Sequence, residues 1–192
     1  MKNLIFTIVV SVVSTLAMAF TAANRDRAVP VLEVEPSRRM PLQVITPKVE
    51  LVVKNHSKFL EDLGFRESSG NYKAVNQYGY LGKYQFGRKT LNALGYEDVS
   101  NREFLSNPSI QEQAMKDLLL HNKKILKKYI QKYHGKELNG VVITESGILA
   151  AAHLAGPGNV KKFFRKGYEF HDGNGTKMTS YMVKFSGYYL EF

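Results

Sequence analysis

Glu67 heads a stretch, Glu67-Ser68-Ser69-Gly70-Asn71-Tyr72, that continues through Asn76-Gln77-Tyr78-Gly79-Tyr80-Leu81-Gly82-Lys83-Tyr84-Gln85-Phe86-Gly87. One carboxylate beside a Gly- and Tyr-rich segment suits the cleavage of a sugar chain. That reaction must protonate the leaving glycosidic oxygen, so it needs a carboxyl group that keeps its proton at working pH. A helix ending near Arg66 would turn its negative dipole end toward Glu67, and Phe65, Tyr72, Tyr84 and Phe86 would desolvate it. Arg66 opposes both effects if its guanidinium turns inward.

Around that acid the residue types supply sugar contacts. The Gln85 amide is a donor for an N-acetyl or hydroxyl oxygen, Ser68 bonds substrate or positions the loop, and Tyr84, Tyr80 or Tyr78 offers a ring for stacking. A rival acid, Glu145 in Glu145-Ser146-Gly147, falls in the first turn of an expected helix, where the positive dipole end favours the charged form and suits capping. Hydrolysis of the bond calls for a second carboxylate across it. Glu61, Asp62, Asp98 and Asp172 show no persuasive spacing for that role, so the residues leave both hydrolysis and a one-carboxylate route open.

Four elements in fixed order resemble the lytic transglycosylases of the lysozyme-like superfamily, which cut bacterial peptidoglycan. They are Glu67-Ser68, Gly82-Lys83-Tyr84-Gln85, the Ala- and Gly-rich run from Gly147 to Gly156, and Tyr181-Met182-Val183-Lys184-Phe185. The resemblance covers about residues 59 to 189. It implies a lysozyme-like fold and a single Glu that protonates the leaving oxygen, then takes a proton from the muramyl 6-hydroxyl to give a 1,6-anhydro product. It also implies that Tyr181 hydrogen-bonds Glu67. Many members carry Tyr-Asn where this chain has His153-Leu154, which makes His153 the candidate polar lining group in place of that Tyr. A hydrolytic lysozyme and a non-catalytic peptidoglycan-binding module are the alternatives.

The elements that must position these residues are mostly helical. Phe59, Leu60 and Leu63 share a face of a helix from Asn55 to Arg66, with Asn55 or Ser57 as cap and Gly64 as its end. Residues 70–87 read as turns with a short hairpin. A short helix from Lys89 to Leu94 stops at Gly95. Asn107-Pro108 opens a long helix to about Tyr133, with Ile110, Ala114, Leu118, Ile125, Tyr129 and Tyr133 inward and a lysine face opposite. Thr144 caps a helix to Ala155, Gly156-Pro157-Gly158 closes it, and Val160 to Arg165 forms another. Residues 167–178 form a polar loop, and Thr179 caps a last helix carrying Tyr181, Val183 and Phe185. The expected class is a mainly α, lysozyme-like (α+β) domain over residues 51–192.

Ahead of it, Lys2, the apolar run from Leu4 to Leu16 and Ala17-Met18-Ala19 read as a secretory signal over residues 1–19, cleaved after Ala19 and sending the protein to the periplasm or outside the cell. The run is shorter than the roughly 20 residues that span a bilayer. Residues 20–50, with Pro30, Pro36, Pro41 and Pro47, read as an extended linker. The chain has no cysteine, which excludes disulfides, thiol nucleophiles and zinc-thiolate sites. Its formal net charge of +10 points to an acidic partner. With no nucleic-acid recognition motif, that partner is expected to be peptidoglycan strands or another anionic envelope polymer. No cofactor or metal is expected: the five histidines lack paired ligand spacing, and Asp172-Gly173-Asn174-Gly175-Thr176 lacks the last acidic ligand of a calcium loop and reads as a turn.

Overall fold

The computed structural model describes residues 54–192; the signal expected over 1–19 and the linker expected over 20–50 lie outside the described residues. Asn55 opens the first helix, α1 (His56–Ser68), by accepting from the Lys58 N–H at 2.9 Å. That satisfies a donor a helix start leaves free and contributes about 1 kcal/mol. Phe59 and Leu63, one turn apart, are fully buried.

Gly64 does not end this helix. The chain stays helical to Ser68 and is closed by Ser69 in the left-handed region at φ 56°. The reason for a glycine at 64 is tertiary: a Cβ there would sit 2.5 Å from Lys83 Cε and 2.7 Å from its Cγ. The Lys83 stem therefore lies across α1, and Glu67 belongs to the helix's last turn instead of following it.

Residues 70–87 form linked turns with isolated antiparallel bridges, Val75 to Leu81 and Leu81 to Phe86, and no longer hairpin. Buried Gln111 fixes them. Its Oε1 accepts from the Lys83 N–H at 2.9 Å, and its Nε2 donates to the Tyr72 carbonyl at 2.9 Å and the Phe104 carbonyl at 2.8 Å. Gly82, at φ 73°, makes room for it, since a Cβ there would lie 2.0 Å from Gln111 Oε1.

Two short helices follow, α2 (Arg88–Ala93) and α3 (Asn101–Ser106), before α4 (Pro108–Tyr133). Asn107 caps α4 through the N–H groups of Ser109 and Ile110. The inward face of α4 is rotated from the expected one. Ala114 and Leu118 are buried as expected, but the rest of the apolar core stripe is Met115, Leu119, Leu126 and Ile130, while Ile110, Ile125, Tyr129 and Tyr133 are half-buried at its margin. A hairpin of β1 (Glu137–Leu138) and β2 (Val141–Val142) pairs Glu137 with Val142. Its turn residues Asn139 and Gly140 both have positive φ, the two-residue turn whose twist matches the strands.

Thr144 caps α5 (Glu145–Lys166), accepting from the Gly147 N–H, and Gly156 breaks its regularity at φ 76°, ψ 153° just before Pro157. The α5 range thus holds two helices that meet at a non-helical Gly156, as expected from Gly156-Pro157-Gly158. The last helix, α6 (Met178–Lys184), starts at Lys177 with no side-chain cap. Thr179 is not the cap; its N–H and hydroxyl donate to the Glu169 carboxylate at 3.2 and 2.6 Å, so an acid from the preceding loop serves the helix start. A Cβ on Gly147 would lie 2.5 Å from the Met182 carbonyl oxygen, so α5 and α6 meet backbone to backbone. The described residues are mainly helical, around a core whose large fully buried side chains include Phe59, Tyr84, Phe86, Phe104 and Phe185. Each such ring contributes roughly 1.5–3 kcal/mol by leaving water.

Candidate active site

Because α1 runs on past Gly64, its last turn carries Glu67 toward α6. There Glu67 Oε1 accepts from the Tyr181 hydroxyl at 2.7 Å. The Glu67 side chain is 14% exposed, and Oε2 has no hydrogen-bond partner among the described residues. Burial, reinforced by the negative charge and hydrogen bond of Glu67, raises the Tyr181 phenol well above its ordinary range. Tyr181 therefore keeps its proton and acts as a donor. Arg66 does turn inward, with its guanidinium 5.9 Å from the Tyr181 ring centre.

His153 reaches the same carboxylate from α5. Its Nε2 lies 3.7 Å from Glu67 Oε1, beyond hydrogen-bond range, while Nδ1 is buried without a partner. Phe86 meets the imidazole edge to face, with ring centres 6.2 Å apart. Helix α5 can bring His153 this close because its N-terminal half is rich in small residues, Gly147, Ala150, Ala151 and Ala152, all buried.

These groups open onto a cleft of about 640 Å³. Arg66 and Glu67 come from α1, Asn76, Tyr78, Tyr80 and Gln85 from the linked turns, His153 and Leu154 from α5, Asp172, Gly173, Asn174 and Thr176 from the loop before α6, and Tyr181 from α6. Asn76 shapes the tyrosine wall by accepting from the N–H groups of Tyr78 and Tyr80 at 2.9 and 3.0 Å. Both rings are about half exposed, at 56% and 44%, so their faces remain available to a ligand. Gln85 lines the cleft from a left-handed backbone position at φ 53°, with its amide nitrogen on the Gly82 carbonyl at 2.9 Å.

Of the expected site residues, Glu67, Tyr80, Gln85, His153 and Tyr181 converge here, and Ser68 and Tyr84 do not. Ser68 Oγ donates to the Lys83 carbonyl at 2.8 Å and so pins the turns to α1. Tyr84 is fully buried and donates to Glu112 Oε2 at 2.7 Å, which removes it as a stacking platform. Phe65 points outward at 68% exposure and does not desolvate Glu67. The rival Glu145 pairs with Lys123 at 2.7 Å, outside the cleft lining.

Asp172 is set aside in the sequence reading, and Glu112 is missed by it. Asp172 brings a second carboxylate into the cleft, although its Oδ1 already accepts from the N–H groups of Asn174 and Thr176 at 2.9 and 2.7 Å. Glu112 sits behind the turns and collects Tyr72 at 2.6 Å and Lys83 at 2.8 Å on Oε1, besides Tyr84 on Oε2. Burial pushes its carboxyl up, but the three hydrogen bonds outweigh this and hold it below the ordinary carboxylate range. A shallower crevice of about 400 Å³ includes Glu112, yet that carboxylate is already occupied by its three donors. Among the described residues no group of three or more His, Asp and Glu side chains is placed to hold a metal ion.

Comparison with family models, with curated proteins and with solved structures finds no match to this chain.

Proposed function

We propose that this chain is an exported, lysozyme-like lytic transglycosylase that cleaves the β-1,4 bond between N-acetylmuramic acid and N-acetylglucosamine in peptidoglycan. The observation that carries the reading is Glu67, mostly buried at an open cleft and held by the Tyr181 hydroxyl at 2.7 Å. The ordered motifs from Glu67-Ser68 to Tyr181 support it. With Oε1 engaged by Tyr181, Oε2 is the oxygen left to pass a proton to the leaving O4 as the C1–O4 bond breaks. The muramyl 6-hydroxyl then attacks C1, its proton goes to the Glu67 carboxylate, and the 1,6-anhydro ring closes without water. Tyr78 and Tyr80 offer ring faces to the sugars, while Gln85 and Asn76 supply short polar contacts.

A second reading, hydrolysis, is favoured by Asp172 in the same cleft, since a carboxylate opposite the acid would activate water. The commitment of its Oδ1 to two loop N–H groups makes this the weaker reading. Mass spectrometry of the released muropeptides separates them: anhydro ends, lighter by one water, support the transglycosylase, and reducing ends transfer the assignment to a hydrolase.

A further inference from the structure

Two stretches of the chain, residues 118–136 in and just beyond α4 and residues 158–168 at the end of α5, contain no Asp or Glu. The first carries exposed Lys124, Lys127, Lys128, Lys132 and Lys136, and the second exposed Lys162, Arg165 and Lys166 with half-buried Lys161. Packing brings the stretches together: Tyr133 stacks on Phe164 at 4.6 Å and 11°, and Tyr129 on Phe164 at 5.5 Å and 25°. Off these stretches lysines meet acids, as in Lys58 with Asp62 and Lys83 with Glu112, and within the first stretch Lys123 pairs with Glu145. The nine cations just named form no salt bridge among the described residues, and none lines the cleft. A surface built only for solubility intersperses both signs of charge. Here nine cations lie on two basic stretches that meet at one aromatic seam.

We infer that this seam is a binding surface for a linear polymer bearing one phosphate per repeat, of the polyol-phosphate class, distinct from the glycan cleft. Lys124, Lys128 and Lys132 recur every four residues, which sets their origins about 6 Å apart along α4 and suits phosphates spaced along an extended chain. Eight of the nine cations are lysines, flexible point charges that neutralise phosphate without the forked geometry that reads a base edge. Base stacking has one exposed ring to use, Tyr168 at 48% exposure, and the Lys162 ammonium already lies 5.7 Å from its ring centre, while Tyr133 is covered by Phe164. These features favour a phosphate polymer over single-stranded nucleic acid.

The test measures binding of the whole protein to fluorescent poly(glycerol phosphate), with duplex DNA and phosphatidylglycerol vesicles as competing probes, across a salt series. The triple variant Lys124→Gln/Lys128→Gln/Lys132→Gln should weaken polymer binding at least tenfold at 0.15 M salt and reduce the log–log salt slope by about 2, at roughly 0.7 for each phosphate that is no longer neutralised. A control triple at Lys73, Lys89 and Lys184, each to Gln, should leave both unchanged, and circular dichroism checks that both variants fold. Glu67→Gln should bind the polymer like wild type, so failure of the cleft reading does not affect this result. Undetectable polymer binding, equal loss in both triple variants, or tighter binding to DNA or vesicles would overturn the inference.

Discussion

The Tyr181 hydroxyl donates to Glu67 Oε1 at 2.7 Å across 114 residues of sequence. That bond ties the last turn of α1 to α6, and it fixes which carboxylate oxygen faces the cleft without a protein partner. Tyr181→Phe removes the donor while keeping the ring. A hydrogen bond to a charged group is worth about 1.5–3 kcal/mol, so turnover should fall roughly 10- to 100-fold with KM little changed. Steady-state release of soluble muropeptides measures it, and unchanged turnover would show that Tyr181 does not orient the acid.

Tyr80 and Tyr84 should separate cleanly. Tyr80 is exposed on the cleft wall and Tyr84 is buried on Glu112. Tyr80→Ala should raise KM several-fold at nearly unchanged stability. Tyr84→Phe should leave KM alone and cost about 1.5–3 kcal/mol in urea unfolding, the worth of a bond to a charged acceptor.

Gly82 and Gly79 share a positive φ, at 73° and 77°, but only Gly82 faces a close neighbour. Gly79→Ala should cost about 1 kcal/mol in backbone strain. Gly82→Ala adds a collision with Gln111 Oε1 and should cost roughly 2–5 kcal/mol. Similar unfolding midpoints for the two variants would contradict the clasp assigned to Gln111.

The Glu112 cluster predicts an acid-sensitive fold. Its carboxyl lies below its unfolded value near 4.5, so between the two values the unfolded chain binds more protons than the folded one. The stabilisation is complete above about pH 4.5 and is lost as pH falls through the folded value. Asp62 slopes the same way: burial raises its carboxyl, and Lys58 and Tyr188 more than compensate, leaving it below its ordinary 3.8. Urea titrations should show wild type losing stability below pH 4.5 more steeply than Glu112→Gln, which should be less stable at pH 7. Parallel acid limbs would remove Glu112 from this role.

Local signals in the sequence are a good guide to element starts. Asn107-Pro108 announces α4, Asn55 announces α1 and Thr144 announces α5 because capping depends on neighbouring residues. Gly64 misleads because its cause is Lys83, far along the chain. Glu112 is illegible because its partners lie 28 to 40 residues away and a Glu on a helix looks like solvated surface. Asp172 is legible as a turn former but not as a cleft neighbour, since that depends on its loop meeting the tyrosine wall, where a Cβ on Gly173 would lie 3.5 Å from the Tyr78 hydroxyl. Asn139-Gly140 fits a hairpin turn, although strands of two residues leave little alternation to support it. Glu67, Tyr80 and Gln85 stand out by residue type and order, His153 and Tyr181 through the resemblance alone, and the fold brings all five to one cleft.

The role of Glu67 as the proton donor is tested most directly by incubating purified peptidoglycan with wild type and Glu67→Gln and following soluble fragments by mass spectrometry. The amide keeps the shape of the side chain and removes its transferable proton. Wild type should release anhydro-ended muropeptides, and Glu67→Gln should release them at least about 10²-fold more slowly, the scale of a lost general acid. Comparable release from both proteins, or none from either, would contradict the assignment.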